Sequence, residues 1–367
     1  MSTDTPEMTI EERVLAALRC EQPDRVPVFI YLNPYVDSWP NDDPSYADAL
    51  HASELYADVI YNWSFPSGLF YNAAELQTET HQLPDGITEE VLHTPEGPLR
   101  RQMRSNWRGG GEIKRWIGEP QDARRLLSMP YVPNRPDLGP VLEARACTGN
   151  KWIVQVTFDD PMCIAGITDE MAMATWTIEH RGLLRELLDT AMERITAELT
   201  YCLENGVGPI YYFNGPEYAL PPLMSPADFE EFVVQYDRKL VELIHSYPGN
   251  YVILHSHGKV NNFLESFASI GMEGLNVLEP PPVGDTILAD AKKRIGENVC
   301  LIGNIQYDDL ARGSEEKVER LVEQAIKEGA RGGGFILSPC ASPYEQPLPE
   351  KASKNMIHYL EMARKHG

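Results

Sequence analysis

The sequence predicts an α/β protein folded as a (β/α)8 TIM barrel, with residues 1–367 in a single domain. Beyond residue 150, apolar runs of strand length alternate regularly with helical stretches. The runs are apolar throughout, which is typical of a parallel sheet covered by helices on both faces. Two earlier apolar runs bring the strand count to eight, the number that closes a barrel, and an open doubly wound sheet is the alternative.

The amino-terminal part is predicted to contain a helix and the first two strands. Residues 9–20 place apolar side chains on one helix face, and Thr9 with Glu12 forms a capping-box pattern at the helix start. The β-branched run at 26–32 predicts the first strand. A more ambiguous run near 58–62 predicts the second.

An inserted β-hairpin is predicted at about 75–115. Two alternating segments between Leu83 and Arg104 flank the turn-rich sequence at 94–98, and Gly109 to Gly111 is predicted as a loop. A basic cluster accompanies this hairpin, and we interpret it as a solvated face rather than a surface for an anionic ligand. It consists of Arg100, Arg101, Arg104, Arg108, Lys114 and Arg115.

The remaining chain is predicted as six strand-and-helix units. The strands are predicted at 151–158, 209–214, 250–255, 274–279, 299–305 and 333–338. The helices are predicted at 169–204, 225–246, 259–270, 285–295, 314–328 and 349–365.

Charge and composition exclude several classes of protein. There are 55 acidic and 32 basic residues, and the formal net charge of −23 would repel nucleic-acid phosphates. The first residues lack a secretory signal pattern and no apolar stretch is long enough to span a membrane, which predicts a cytoplasmic protein. The six cysteines form no CxxC pair and are interpreted as reduced thiols.

Polar residues follow five of the predicted strands, at the end where a (β/α)8 barrel carries its active site. Two histidines, two carboxylates and one thiol are therefore expected to converge on one mouth. In chain order the strand-end residues are Asn214 and Glu217, His255 and His257, Glu279, Asn304, and Cys340.

The histidine pair predicts a metal site. His255 and His257 stand two residues apart at a strand end, so both side chains project to the same side. Imidazole and thiolate suit zinc, and together with Cys340 they leave a fourth position for a carboxylate, water or substrate. Glu217 is the first carboxylate to consider. The alternative is that the histidines hydrogen-bond locally and Cys340 is a small buried residue.

The other strand-end residues have two interpretations each. Glu217 and Glu279 are candidates for proton transfer or for the metal shell, although Glu279 could simply accept backbone donors where the chain turns. Tyr212, Asn214 and Asn304 are candidates to bind substrate, although a tyrosine in such a run is often part of the core and an asparagine often lies in a turn. The glycine runs match no phosphate-binding fingerprint, so no nucleotide cofactor is assigned.

The amidohydrolases, which are binuclear metal hydrolases, are a second class of barrel enzyme that contains a His-x-His pair. Such barrels place the pair on the first strand and need further strand-end histidines. Here only His358 and His366 follow His257, and both lie in the predicted terminal helix. Hydrolysis is therefore disfavoured.

Several short motifs occur in a fixed order along the chain. They are the opening helix at 9–18, Pro23-Asp-Arg-Val-Pro27, Ser225-Pro226 at a helix start, His255-Ser-His-Gly258, Glu279-Pro-Pro281 and Gly303-Asn-Ile305. Together they resemble the uroporphyrinogen decarboxylase superfamily over most of the chain. The resemblance implies a (β/α)8 barrel with its site at the carboxyl ends of the strands.

The resemblance also distinguishes two chemistries. The decarboxylases of the superfamily are metal-free and carry an arginine-containing motif after the first strand, whereas residues 31–40 contain no basic residue. The cobalamin-dependent methyltransferases bind zinc through a His-x-Cys motif and a later cysteine, and His255, His257 and Cys340 occupy those places. His257 departs from that pattern. Imidazole in place of thiolate removes one negative charge, which strengthens the zinc as a Lewis acid and makes it less suited to holding a nucleophilic thiolate.

The resemblance therefore favours a zinc-dependent methyltransferase. It would move a methyl group between a small organic molecule and a corrinoid (cobalamin), which is bound directly or carried by a corrinoid protein. A metal-free decarboxylase and a non-catalytic small-ligand-binding barrel are the alternatives. Because the parent decarboxylases are commonly dimers, the resemblance also implies a homodimer.

Overall fold

The main sheet is parallel and curled, as predicted. In the computed structural model, which describes residues 7–66, 77–106, 109–148 and 151–367, seven strands follow one another in chain order. Each pairs in parallel with its neighbours. These strands are β1 (Ile60–Ser64), β6 (Ile153–Asp159), β7 (Ile210–Asn214), β8 (Tyr251–Ser256), β9 (Gly274–Val277), β10 (Cys300–Ile305) and β11 (Phe335–Pro339), while β2 to β5 form a separate sheet.

The eighth position of the predicted barrel is held by a segment that makes one bridge rather than a full strand. Val28 pairs in parallel with Leu337 of β11, and the Leu337 N–H donates to Pro27 O over 2.9 Å. On the other side, the Asp58 N–H donates to Val28 O over 2.8 Å, just before β1. Because Pro27 has no N–H, the ladder cannot extend through it as it does in the other strands. The strand predicted at 26–32 is thus corrected to a single bridge between β11 and β1.

The helices lie between the strands in the order expected of strand-and-helix units. The helix predicted at 169–204 is divided in two, because His180, with φ −132°, leaves the helical conformation. In the part of the chain that the structure describes, no helix has the length and apolar character needed to cross a membrane. The α-helices are α1 (Ile10–Leu18), α2 (Trp39–Asp42), α3 (Ala47–Tyr56), α4 (Pro120–Leu127), α5 (Gly139–Ala146), α6 (Glu170–Trp176), α7 (Arg181–Glu204), α8 (Pro226–Phe229), α9 (Gln235–His245), α10 (Leu264–Ile270), α11 (Leu288–Ile295), α12 (Tyr307–Arg312), α13 (Glu315–Gly329) and α14 (Glu350–His366).

The inserted segment is a four-stranded antiparallel sheet, so the prediction of a two-stranded hairpin is corrected. Its strands are β2 (Thr78–Leu83), β3 (Ile87–Thr94), β4 (Gly97–Asn106) and β5 (Gly109–Lys114), and they pair in that order. The glycines at 109–111, predicted as a loop, begin β5. Two strands alone are marginally stable in water, and the outer strands extend the pairing on both sides.

Two residues of the basic cluster make cross-strand ion pairs in this small sheet. Arg100 lies 2.7 Å from Glu89, and Arg101 lies 2.7 Å from Glu90. Opposite charges on paired strands stabilise a sheet surface. This supports the prediction of a solvated face for these two residues, while Arg108 lies outside the described residues.

Helix α1 closes the amino-terminal end of the curled sheet. Thr9 caps it, and the reciprocal capping box with Glu12 forms as predicted. Its buried face packs on inward-pointing apolar side chains, so the floor of the sheet is apolar. This floor consists of Ile10, Val14, Ala17 and Leu18 from α1 with Phe29, Ile153, Ile210, Ile253, Cys300, Ile302 and Ile336 from the sheet.

A buried ion-pair network fixes the bridge at residue 28 against β1. Asp58 is fully buried and accepts hydrogen bonds from Arg13 over 2.8 Å and from Arg25 over 2.7 Å. It also accepts the Val28 N–H over 2.9 Å. Arg13 in turn pairs with Asp24 over 2.7 Å. The Pro23-to-Pro27 motif of the sequence therefore has a structural role on the side of the sheet opposite the predicted site.

Candidate metal centre

The carboxyl ends of the parallel strands form a polar opening, which we call the mouth. Side chains two residues apart on a strand point the same way. Gln155, Tyr212 and His255 each lie two residues after a floor residue of β6, β7 or β8, so their side chains also point inward. The inward face therefore changes from apolar to polar towards the mouth. This agrees with the prediction that polar strand-end residues converge there.

His255 is held by two neighbours through its Nδ1 atom. That atom lies 2.7 Å from Asn276 Oδ1 and 2.5 Å from the Tyr212 hydroxyl, which donates to the same Oδ1 over 2.8 Å. The Asn276 amide donates to Ile302 O over 3.3 Å, which turns its oxygen towards the imidazole. Nδ1–H is then the donor, and Nε2 carries the lone pair that a metal requires. Burial lowers the pKa of His255 to about 4, so the ring is neutral at neutral pH.

His257 is held by a carboxylate in the same manner. Its Nδ1 lies 3.3 Å from Oε1 of Glu279, and Glu279 Oε2 accepts the Gly258 N–H over 2.7 Å. Although burial alone would raise the pKa of Glu279, these hydrogen bonds hold it below its usual value. The hydrogen bond to Glu279 raises the pKa of His257. A carboxylate that binds Nδ1–H is the usual orienting partner of a metal-binding histidine.

The imidazoles of His255 and His257 lie beside each other, and Cys340 lies within electrostatic range of Glu279. The ring centroids of His255 and His257 are 4.6 Å apart, with the ring planes nearly perpendicular at 88°. Cys340 is buried, and its thiol lies 3.8 Å from Val277 O at the end of β9. Burial raises the pKa of the Cys340 thiol, and the charge of Glu279 adds to this. Although β9 and β10 separate β8 from β11, the Cys340 thiol thus reaches the end of β9, the strand that pairs with β8.

The donor atoms of the three predicted ligands do not all lie within metal-binding distance of one another. Among the described residues, the group of three or more potential ligands whose donor atoms all lie within 4.8 Å is Glu319, Glu323 and His366, away from the mouth. His255, His257 and Cys340 therefore have at least one longer separation. Even so, the residues fit a zinc ion, because both histidines have an orienting partner on Nδ1 and the third donor is a thiol.

Glu217 lies in the loop after β7, within electrostatic range of His257. Burial raises its pKa, and the charge of His257 opposes that rise. Its Oε2 accepts the Gly215 N–H over 3.3 Å. Gly215 has a φ of +133°, and a side chain there would overlap Oδ1 of Asp160, so only glycine permits this turn. The loop thus positions the carboxyl group of Glu217 at the mouth.

The predicted substrate-binding residues have different positions. Tyr212 is engaged with His255, so its hydroxyl orients that ring. The Asn214 side chain lies 3.5 Å from Asp159, while its backbone oxygen accepts the Asp160 N–H over 2.8 Å. Asn304 is half-buried near the end of β10. Asn214 and Asn304 remain predictions as substrate ligands.

Sequence reasoning missed several polar residues on the inward face of the sheet. Asn62 Oδ1 accepts hydrogen bonds from Gln155 over 3.1 Å and from Thr157 over 2.6 Å. Asn276, which orients His255, lies inside the strand predicted at 274–279, where Glu279 was the predicted site residue. The alternation of each strand could have found them, because Asn62 and Gln155 lie two residues after Ile60 and Ile153, which pack with the floor.

Two buried carboxyl groups lie behind the mouth. Asp160 and Asp237 are almost wholly inaccessible to solvent. Asp160 Oδ1 accepts the Cys163 N–H over 3.1 Å, whereas its Oδ2 and both Asp237 oxygens have no hydrogen-bond partner in the described part of the chain. Burial raises the pKa of both groups, to about 8 for Asp237.

The family follows from comparison with known proteins. Residues 162–364 match the family model described as uroporphyrinogen decarboxylase (URO-D). The chain belongs to this family. The predicted resemblance is therefore confirmed, and the match contains the candidate ligands at the end of β8 and after β11.

Relatives with two different names are similar to this chain. The methylcobamide:CoM methyltransferase MtaA of Methanosarcina barkeri is 32% identical over 165 residues, which cover 45% of this chain and 44% of that protein. The uroporphyrinogen decarboxylase of Prochlorococcus marinus (strain MIT 9313) is 26% identical over 220 residues, covering 57% of this chain and 59% of that protein. The chain thus matches roughly half the length of these relatives.

A solved structure shares the fold over nearly the whole chain. It is a methyltransferase from Methanosarcina mazei, with a TM-score of 0.60 and 21% sequence identity. The alignment covers 98% of this chain and 99% of that one. The barrel-like arrangement of strands and helices is therefore a known fold.

Proposed function

We propose that this protein is a zinc-dependent methyltransferase that moves a methyl group between a small organic molecule and a corrinoid. The observation that carries the proposal is the pair of orienting contacts, Asn276 on His255 and Glu279 on His257, which leave Nε2 as the nitrogen of each ring that can bind a metal. The similarity to MtaA supports it, because the printed name of that relative combines methyl transfer with a cobamide.

His255, His257 and Cys340 would hold the zinc. When bound there, zinc would supply Lewis acidity to the substrate atom that carries or receives the methyl group. Two neutral imidazoles and one thiolate would leave the centre with one positive charge, which strengthens that effect. The corrinoid would be bound at the mouth or carried by a partner corrinoid protein.

The chain's own residues would position the ligands and move a proton. Tyr212 and Asn276 fix the ring of His255, and Glu279 fixes the ring of His257. Glu217, whose pKa is raised above its usual value by burial, would exchange a proton with a substrate heteroatom. Asn214 and Asn304, on the ends of β7 and β10, would orient the substrate.

A metal-free decarboxylase is the second candidate, since relatives at lower identity are named uroporphyrinogen decarboxylase. The mouth disfavours it. Asp159 and Glu279 lie there, and carboxylates repel the acidic side chains of a tetrapyrrole. A decarboxylase would keep full turnover without metal, which separates the two candidates.

The test is zinc content per chain, measured by elemental analysis on the wild type and on His255→Ala, His257→Ala and Cys340→Ala. Cys202→Ala is the matched control, because Cys202 is a buried thiol in α7 away from the mouth. We expect each mouth variant to lose one zinc and the control to lose none. Methyl transfer from candidate donors to cob(I)alamin, followed by the corrinoid absorbance, should be lost with the metal. Equal metal content in all variants would overturn the proposal.

A further inference from the structure

The wall of the mouth that lies opposite the candidate metal ligands is formed by β1 and β6. The sheet runs in order from β1 through β6 to β11, and the bridge at Val28 closes it between β11 and β1. His255 and His257 lie at the end of β8 and Cys340 follows β11, so these residues flank β9 and β10. The pair of β1 and β6 is on the other side. Because a barrel of this size has room for one small ligand, a substrate at the metal also contacts this wall.

Three polar side chains of this wall contact one another, and we call them the amide wall. Asn62 of β1 pairs in register with Gln155 of β6. Asn62 Oδ1 accepts a hydrogen bond from Gln155 Nε2 over 3.1 Å and another from the Thr157 hydroxyl over 2.6 Å. Both lone pairs of this oxygen are therefore used. The part of the Asn62 amide that remains for a ligand is the donor, Nδ2–H.

The amide wall keeps hydrogen-bonding groups that a ligand can use. Asn62 lies on the inward face, two residues after Ile60, and is nevertheless exposed, so it borders an open part of the mouth. Its Nδ2 makes only a long contact, 3.5 Å to Ser64 Oγ, among the described residues. Gln155 donates through Nε2 and leaves Oε1 as an acceptor. The wall thus presents a donor beside an acceptor.

Other polar side chains at the same depth bond to one another instead. Tyr212 and His255 share Asn276 Oδ1, as described above. The Tyr31 hydroxyl lies 3.5 Å from the Asn276 amide nitrogen and 3.3 Å from Ser338 Oγ. These contacts fix the side that carries the candidate metal ligands, whereas the amide wall faces them with unused groups.

The charges around the mouth disfavour an acid group as the ligand of this wall. In the described part of the chain, the loops that follow β6, β7, β9, β10 and β11 contain no lysine or arginine before the next α-helix. Lys259, after β8, is exposed. Arg115 reaches the loop after β6, but its guanidinium donates to Ala165 O and pairs with Glu170. Asp159, two residues after Thr157 on β6, adds a carboxylate to the same face.

We propose that Asn62, Gln155 and Thr157 bind the non-reacting end of the substrate, and that this end is an uncharged hydroxyl group. Asn62 Nδ2 would donate to the hydroxyl oxygen, and the hydroxyl would donate to Gln155 Oε1. A carboxylate, sulfonate or phosphate would instead meet acceptor oxygens and Asp159. The substrate class is therefore a small methyl-bearing alcohol without an acid group. This inference rests on the proposed function for the reacting end of the substrate.

The experiment compares three probes that share a two-carbon methoxy skeleton and differ in charge. They are 2-methoxyethanol, methoxyacetate and 2-methoxyethylamine. Dissociation constants are measured by ligand-observed NMR on the full chain with Zn²⁺ and without a corrinoid. We expect 2-methoxyethanol to bind about tenfold more tightly than methoxyacetate, because the anion leaves polar groups of the wall unpaired and is repelled by Asp159. No binding of 2-methoxyethanol, or tighter binding of either charged probe, would overturn the proposal.

A charge substitution tests the amide wall itself. Asn62→Lys places a cation there and should shift the preference by about tenfold towards methoxyacetate. Asn298→Lys is the matched control, because Asn298 is an exposed asparagine between α11 and β10, at the opposite end of the strands. It should leave the preference unchanged. An unshifted preference in Asn62→Lys, or an equal shift in Asn298→Lys, would overturn the proposal.

The same probes separate this inference from the proposed function. The preference for the alcohol comes from the amide wall, so it should persist in Cys340→Ala, which weakens the candidate metal site. A wild type that binds no zinc but keeps the preference would contradict the proposed function and leave the amide wall in place. A wild type that binds zinc at the mouth but shows no preference would contradict this inference alone.

Discussion

The Nδ1 atom of His257 lies 3.3 Å from Oε1 of Glu279, and the other oxygen of this carboxylate accepts the Gly258 N–H. Both oxygens of Glu279 are therefore engaged, which suits an orienting group better than a proton donor. The sequence suggested proton transfer for Glu279, with the acceptance of backbone donors as the alternative. The structure supports that alternative and adds the contact with His257.

The first prediction concerns this contact. Glu279→Gln keeps the shape of the side chain but removes the charge that holds His257 Nδ1–H. We expect zinc affinity, measured by chelator competition, to fall by about 10–100-fold, the usual effect of losing an orienting partner. Glu273→Gln, which alters the carboxylate beside His245, is the control and should leave the affinity unchanged. Unchanged affinity in Glu279→Gln would show that His257 does not bind metal through Nε2.

The second prediction concerns the ring of His255. Asn276→Ala removes the oxygen that accepts Nδ1–H, so the proton is free to move to Nε2 and block the metal position. Zinc affinity should fall by about 10–100-fold, and nitrogen-15 NMR of the histidines should show an increased Nε2–H population. Tyr212→Phe, which keeps the Asn276 contact, should have a smaller effect on both. An unchanged tautomer in Asn276→Ala would contradict this account.

The sequence predicted most of the main sheet and the place of the candidate site. Strands β6 to β11 were predictable because they are apolar runs bounded by polar turns, and His255, His257 and Cys340 follow from their ends. The single bridge at Val28 was not predictable, because it depends on contacts with Asp58 and β11, which are distant in the sequence. The orienting role of Asn276 was also hidden, since it depends on which face of β9 meets β8.

The third prediction concerns the buried charge at Asp58. Asp58→Asn leaves Arg13 and Arg25 without their shared carboxylate inside the protein. Losing one partner of a buried ion pair costs about 3–5 kcal/mol, and we expect the free energy of unfolding in urea to fall by that amount. Glu21→Gln is the control, because it breaks a surface pair with Arg19 and should leave the unfolding midpoint nearly unchanged. A small effect at Asp58 would mean that the network does not fix Val28.

The fourth prediction concerns the dependence of stability on pH. Burial raises the pKa of Asp237 to about 8, well above its value in an unfolded chain of about 3.9. Between these values the folded protein holds a proton that the unfolded chain has released. The free energy of unfolding must therefore fall as the pH rises through this window, and the contribution of Asp237 is fully present only below about pH 4.

Asp237→Asn should remove this part of the pH dependence, because an amide has nearly the shape of a protonated carboxyl group and does not ionise. We expect the variant to be more stable than the wild type at about pH 9 and to differ little at about pH 4, by urea unfolding at both values. Asp308→Asn, on the exposed face of α12, is the control and should follow the wild type. If Asp237→Asn lost stability equally at both pH values, the titration of Asp237 would not be the source of this pH dependence.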